Sequence, residues 1–516
     1  MLVKKFLASL TARQIIWSLS ILFLAAILFF AATKQINIAF VVLPVLILAI
    51  ATSDSLQTKH TIKKNYPVVG RLRYLFESVR PEFRQYFFEG ELDGKPFNRR
   101  QRSIVYQRAK NQKQTISFGM QDDPNRIGYE WAAHSIYPKK AASDKFRTMV
   151  GGPQCDQPYN ASILNISAMS YGALSKTAIT SLNKGAQKGN FAHNTGEGGI
   201  SDFHLQGGDL IWQIGTGYFG CRNEDGTFSE KLFKERATLP TVKMIEIKLS
   251  QGAKPGHGGL LPAEKNTPEI AKIRAIKPYT DVHSPSSHSA FSNAFELLVF
   301  VNQLRKSSGG KPVGFKICIG QKEEFTSIAQ AIIETGIIPD FITVDGAEGG
   351  TGAAPLEFID YMGMALSDAL TFVNATLKEY GVREHIKIFA SGKIISAFDI
   401  AKTIALGADA CYSARAMMFS LGCIQALQCD SGKCPVGIAT QDKNLYKGVD
   451  ITDKTERVAN FHKNTMKALA EFIGACGFEN IHQVNPKVFF KRVDHSQNKS
   501  FQEMYQSDKN QELINF

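Results

Sequence analysis

The sequence predicts an α/β chain: a (β/α)8 TIM barrel with an N-terminal transmembrane helical hairpin. Two long uncharged runs near the start predict the hairpin. Short apolar runs alternating with helical stretches over about 300 residues predict a parallel sheet, and at that length a closed barrel. Gly- and Ser-rich loops carrying charge follow those runs, where such barrels keep their working groups. Composition agrees. With 516 residues, 44% apolar and 21% charged, the chain is neither disordered nor collagen-like, and its length suits about three domains. Eight cysteines are too few for a disulfide scaffold of this size, so only their spacing carries meaning.

The hairpin comes first. Residues 15–33 are an uncharged run of 19, long enough to cross a core of about 30 Å at about 1.5 Å per residue. A polar break at Lys34 and Gln35 leads into a second uncharged run of 17 residues, 36–52, with Pro44 inside it. A cleavable leader would have one shorter apolar stretch, so an anchor is the reading. Lys4, Lys5 and Arg13 precede the pair and Lys59, Lys63 and Lys64 follow it. The positive-inside rule then puts both ends, and the catalytic body, on the cytoplasmic side of the inner membrane. Of the net charge of +13, residues 1–52 contribute +4 and residues 53–113 contribute +8. That placement favours anionic lipid headgroups over nucleic acid as the partner. Residues 53–150 read as a basic collar or linker, with the aromatic and basic stretch 71–88 broken at Pro81. Residues 151–492 read as the barrel and 493–516 as a frayed polar tail.

Barrel strands are expected near residues 163–166, 242–247, 313–319, 341–344 and 386–389. The loop SAMSYGA at 167–173 has small residues that let backbone approach a flat ring. HNTGEGG at 193–199 sets a carboxylate, Glu197, between glycines. KLSQGAKPGHGGLL at 248–261 offers Lys248, Lys254 and His257. Lys316 sits mid-strand in GFKICIG, where an unpaired ammonium would be costly, so it should face an anion. DGAEGGTG at 345–352 closes a strand with five small residues and two carboxylates, Asp345 and Glu348. Later, Ser391, Gly392 and Lys393 precede a helix, and Ser413 and Arg415 follow the next strand. Amides at a helix start and an Arg fork suit a phosphate, and such barrels bind phosphate after strands seven and eight. A phosphate-tailed cofactor is implied.

The sharpest local signal is Cys423-x5-Cys429-x4-Cys434-Pro435, which resembles iron–sulfur ligation. A zinc site would want a fourth ligand that the neighbourhood does not offer. Three thiolates suit a three-iron cluster, or a four-iron cluster with an outside ligand. The other five cysteines show no ligand spacing and read as core thiols.

NISAMSYGALS, NTGEGG, IEIKLSQGAKPGHGG, VDGAEGGTGAAP and GCIQALQCDSGKCPVGIATQ together resemble the FMN-binding synthase domain of glutamate synthase, over about residues 162–441. The likeness is to the stand-alone, membrane-anchored branch of that family. It implies FMN, with Met169, Ser170, Gln251, Lys316, Asp345, Gly346, Gly349 and Gly350 lining the ring and the Ser391–Lys393 and Ser413/Arg415 loops on the phosphate. It implies a [3Fe-4S] cluster on Cys423, Cys429 and Cys434. Lys316 and Glu348 would be catalytic, and Asn194, Glu197, Lys248 and Lys254 would meet substrate. The implied reaction reduces 2-iminoglutarate, formed from 2-oxoglutarate and ammonia, with electrons from a separate donor protein.

Departures from the family are expected to matter. The chain starts MLVKKF where a glutamine amidotransferase domain would lie, and no Rossmann fingerprint for NADPH is found. The phosphate loops read SGK and SAR in place of a double glycine, and residues 284–296 lack the family's histidine- and acid-rich pattern. Two alternatives therefore stand beside glutamate formation: a different amine or substrate, as in N-methylglutamate synthase-like proteins, or a membrane electron-transfer subunit without turnover.

Overall fold

Every second residue of VKMIEIK points into the barrel and the others into the helical ring, so all but Lys243 are buried. The computed structural model describes residues 10–35, 37–112 and 114–505. Lys4 and Lys5, residue 36 of the second apolar run, and tail residues 506–516 lie outside the described residues. The chain divides into two compact units, Met1–Pro96 and Phe97–Phe516.

The first unit holds an antiparallel pair of apolar helices, α1 (Ala12–Ala32) and α2 (Val42–Leu56). Thr11 caps α1 in a capping box with Gln14. Pro44 falls in the first turn of α2, where its missing N–H has no intrahelical partner to lose. Trp17 Nε1 donates to Ser55 Oγ at 3.2 Å across the pair. Helix α3 (Gly70–Phe83) runs through Pro81 rather than breaking there. The proline sits near the C-terminal end, and the chain continues directly into a π-turn, Arg84–Phe88.

The second unit opens with α4 (Arg99–Ala109), packed on the last long helix of the chain. Then come eight parallel strands closed into a barrel in sequence order. They are β1 (Leu164–Ile166), β2 (His193–Asn194), β3 (Leu210–Ile214), β4 (Val242–Lys248), β5 (Val313–Ile317), β6 (Phe341–Asp345), β7 (Lys387–Ser391) and β8 (Ala410–Ser413). Each pairs with the next, and β8 closes on β1 through Tyr412 opposite Asn165. His193 and Asn194 thus lie in a strand, not a loop, and β3 adds a strand that sequence reading passes over. The helices used below are α5 (Lys176–Gly189), α6 (Pro268–Arg274), α7 (Leu366–Glu379), α8 (Ala397–Ala405), α9 (Arg415–Leu421) and α10 (Ile451–Ala475). Helix α10 packs along α5 and α4.

The barrel interior is graded. At the N-terminal end Ile211, Met244, Phe341, Phe389 and Tyr412 form one apolar cluster with Val150, Tyr159 and Ala161. Those last three come from an antiparallel hairpin, Arg147–Val150 against Tyr159–Ser162, that plugs this mouth. Above them the inward positions turn polar, with Gln213, Glu246 and Thr343, and then charged, with Lys248, Lys316 and Asp345. Gly314 is required in β5: a Cβ there would lie 2.0 Å from the carbonyl oxygen of Phe341. The tail is ordered further than expected, since Asn498–Ser500 pairs with Phe489–Arg492 and Phe501 is buried.

Candidate active site

Two groups of charges meet at the C-terminal mouth. The first surrounds Lys316. Its Nζ lies 3.0 Å from Asp345 Oδ2, and the same oxygen accepts the Gly252 N–H at 3.0 Å. One layer below, the fully buried Glu246 accepts from Asn194 Nδ2 (2.7 Å), Gln213 Nε2 (2.7 Å) and Thr343 Oγ1 (2.6 Å). Burial works against the ammonium of Lys316, but Asp345, Glu246 and Glu197 outweigh it and hold its pKa above the ordinary lysine value. The amine is therefore charged.

The second group centres on Glu197. Its Oε1 pairs with Lys248 Nζ at 2.8 Å. Burial would raise this carboxyl, but Lys248, Lys254 and Arg274 bring it down to about 2. Arg274 ends α6; its Nη2 donates to the Tyr171 carbonyl at 3.2 Å and its plane covers Phe219 at 5.0 Å. Burial pulls the Arg274 guanidinium down to about 10, and its Nε has no partner among the described residues. Lys254, 8% exposed as a residue, has no carboxylate within ion-pair distance of its amine among the described residues. Three buried cations thus share one carboxylate. His288 stays neutral, burial pulling it down to about 4; it donates from Nε2 to the Lys248 carbonyl (2.9 Å) and accepts from Tyr218 Oη (3.1 Å). A cleft lined by Glu197, Lys248, Gln251, Lys254 and Pro285 opens beside them.

The loops after β4 and β6 touch backbone to backbone, since a Cβ on Gly252 would lie 1.9 Å from Gly346 O. Gln251 Nε2 donates to Gly350 O at 3.3 Å across the same seam. Met169 N–H donates to Asn194 O (3.0 Å), and a Cβ on Gly196 would sit 2.9 Å from Ser170 N, so the loops after β1 and β2 are equally close. Gly346 N–H donates to Ser391 O (2.8 Å), and Ser413 Oγ donates to Ile394 O (2.6 Å). Gly392 and Lys393 both take positive φ, +153° and +49°, turning the chain between β7 and α8. Arg415 Nη2 donates to Glu348 O at 2.6 Å and its plane lies over Phe97 at 4.6 Å. Burial brings this guanidinium down to about 10, and no carboxylate lies within ion-pair distance of it among the described residues. Gly350 leaves its flank open, since a Cβ there would be 2.8 Å from Arg415 Nε. A half-buried fork facing a side-chain-free seam fits a phosphate-tailed ring.

Glu348 stands apart from both charge groups: its carboxylate accepts the Leu366 N–H (3.0 Å) at the start of α7. Cys423, Cys429 and Cys434 share one loop and lie within electrostatic reach of one another. Burial lifts the Cys423 thiol to about 12 and the Cys429 thiol above its usual value. Lys265, also buried, donates to Cys429 O at 2.6 Å and faces the Cys429 and Cys434 thiols. Among the described residues no three His, Cys, Asp or Glu side chains converge on a single ion. A multi-iron cluster spreads its thiolates over different irons, and three grouped thiols beside a buried cation fit that chemistry better than one metal ion. Glu246, Arg274, Lys265 and His288 are absent from the sequence-derived set.

A family model described as a conserved region in glutamate synthase matches residues 151–479. A glutamate synthase large subunit-like protein of Bacillus subtilis is 36% identical over 503 residues, covering 89% of this chain and 95% of that protein. An archaeal glutamate synthase (NADPH) of Methanocaldococcus jannaschii is 36% identical over 364 residues, covering 70% of this chain and 67% of that protein. Among solved structures, flavocytochrome b2 aligns with a TM-score of 0.42 at 12% identity, covering 81% of this chain and 85% of that one.

Proposed function

The chain belongs to the glutamate synthase family, and from that premise we propose that it is an FMN- and iron–sulfur-dependent oxidoreductase of the CH–NH2 class. Its substrate is the 2-imino acid formed from 2-oxoglutarate and ammonia, and its product is glutamate. The observation that carries this reading is the excess of buried cations, Lys248, Lys254 and Arg274 around the single carboxylate Glu197. A dicarboxylate substrate completes that charge balance, which apolar or cationic substrates would not.

FMN when bound supplies hydride delivery, and the cluster supplies one-electron relay. The chain's own groups do the rest. Arg415 and the 391–393 turn would hold the phosphate, and the closed seam of Gly252 against Gly346 would offer the flat ring a side-chain-free surface to lie on. Lys254 and Arg274 would grip substrate carboxylates, with Glu197 fixing Lys248 between them. Lys316, kept protonated by Asp345 and Glu246, would face the charge that develops as the imine is reduced. Glu348 would hold the 345–352 loop to α7. Cys423, Cys429 and Cys434 would ligate the cluster, with Lys265 offsetting its negative charge. The apolar pair α1 and α2 would anchor the barrel to the inner face of the cytoplasmic membrane, and a separate protein would donate electrons.

The test is the purified full chain in detergent, given a reduced viologen, 2-oxoglutarate and ammonium. Glutamate should form, heat should release FMN and not FAD, and anaerobic preparations should contain iron and sulfide. Cys429→Ser should lose most iron and keep the flavin. Product with methylamine but not ammonium would favour the N-methylglutamate synthase-like alternative. Both cofactors with no product from any oxo acid and amine would leave an electron-transfer subunit.

A further inference from the structure

Helix α3 is turned inside out for a helix in water. Leu72, Leu75, Phe76 and Phe83 recur at three- and four-residue spacings and so share one stripe. That stripe faces outward: the four are between 49% and 66% exposed, and Phe87 in the following turn is 74% exposed. On the opposite side Gly70 is buried and Tyr74 half-buried. Tyr74 meets His60 with ring centroids 5.0 Å apart, and Lys63 lies 4.7 Å from the Tyr74 ring.

Two further features say what covers the stripe. Cations border it, with Arg73, Arg80 and Arg84 on one flank, and residues 57–89 carry seven Lys/Arg against three Glu. The helix is also tied to the end of the anchor. Arg71 forks onto Asp54 of α2 (Nη2–Oδ1 2.8 Å, Nε–Oδ2 2.9 Å), and the Val68 N–H donates to Asp54 Oδ2 at 3.0 Å. An apolar stripe flanked by arginines and clamped where an apolar helix ends has the make-up of a helix lying in a headgroup layer.

We propose that α3 is an interfacial helix whose stripe sinks into the boundary of an anionic bilayer. It is a membrane contact beyond the α1/α2 hairpin, and it rests on that hairpin being inserted. The arginines would meet lipid phosphates while the leucines and phenylalanines replace acyl contacts.

The test uses the full chain in phosphatidylglycerol/phosphatidylcholine vesicles whose acyl chains are brominated near the headgroup. Phe76→Trp, with Phe83→Trp as a second variant, reports the stripe; Tyr74→Trp reports the packed side. The difference between wild type and Trp17→Phe reports α1. Emission added by Phe76→Trp or Phe83→Trp should be largely lost, that added by Tyr74→Trp kept, and the loss should shrink in pure phosphatidylcholine. Quenching of Trp17 without quenching at position 76 or 83 would overturn the interfacial helix and leave the hairpin standing. Quenching at none of them would overturn both. Blue-shifted but unquenched emission at 76 would mean that a second copy of the chain covers the stripe, which also overturns the proposal.

Discussion

Removing the charge of Lys316 while keeping its stem separates two roles held by one amine. In Lys316→Met the buried Asp345 carboxylate keeps, among the described residues, only the Gly252 N–H at 3.0 Å. Breaking a buried pair from one side costs about 3–5 kcal/mol, so this variant should melt well below wild type. Lys316→Met/Asp345→Asn should recover most of that stability, yet turnover should stay down on the order of 10²-fold, as when one electrostatic stabiliser is lost. Turnover that returns together with the melting temperature would reduce Lys316 to a structural ion. Lys254 carries the opposite sign. Burial first, and Lys248 with it, pull its pKa below the ordinary value, with Glu197 countering. Between the lowered folded value and the unfolded one the unfolded chain binds the extra proton, so stability rises with pH across that window. On the proposed function, dicarboxylate capture should fall over the same window as the cation is lost. Lys254→Met should therefore melt higher, raise KM for 2-oxoglutarate and flatten the alkaline limb of the KM profile. Lys316 is legible in the sequence because it interrupts an apolar strand. Glu246 is not, because an acid two residues before a lysine in IEIK reads as a solvated pair until the barrel closes around it. Arg274 hides in the last turn of a helix, where a cation is the ordinary complement to the dipole.

Elements differ in how loudly they announce themselves. Strand β4, seven residues long, is buried at every position but Lys243, whereas β2 spans two residues, too few for any period to register. Its place is set by neighbours, through His193 opposite Ile166 and Leu210. The seam between the loops after β4 and β6 is likewise invisible as distance, although both loops stand out by their glycines. Gly252→Ala tests it. A methyl 1.9 Å from Gly346 O must push backbone against backbone, so the two loops part while the strands stay paired. Flavin titration should show at least about a tenfold weaker Kd, the loss of about 1.4 kcal/mol of contact, with far-ultraviolet circular dichroism unchanged. Wild-type affinity would place the ring elsewhere.

At the scale of the whole chain, the uncharged runs end at residue 52, but the first compact unit extends to Pro96. Composition marks where lipid-like sequence stops; only contacts such as Arg71 to Asp54 show what stays with it. Phe97 already belongs with the barrel, exchanging hydrogen bonds with Gln425 at 3.2 and 3.1 Å. A chain cut a few residues before Phe97 should stay in solution without detergent and melt as the barrel of the full protein does. In the full protein, tags at both termini should report the cytoplasm; a C-terminal tag on the far side would reverse the anchor. The grading of the barrel interior bears on how such a protein can change over generations. A heritable substitution among Met244, Phe341 or Phe389 should alter whether the chain folds, while one near Lys254 or Arg274 should, on the proposed function, alter what the chain accepts. Because the first kind of position lies inside the strands and the second in the loop and helix beyond their C-terminal ends, a lineage can drift in diet without first surviving a crisis of folding.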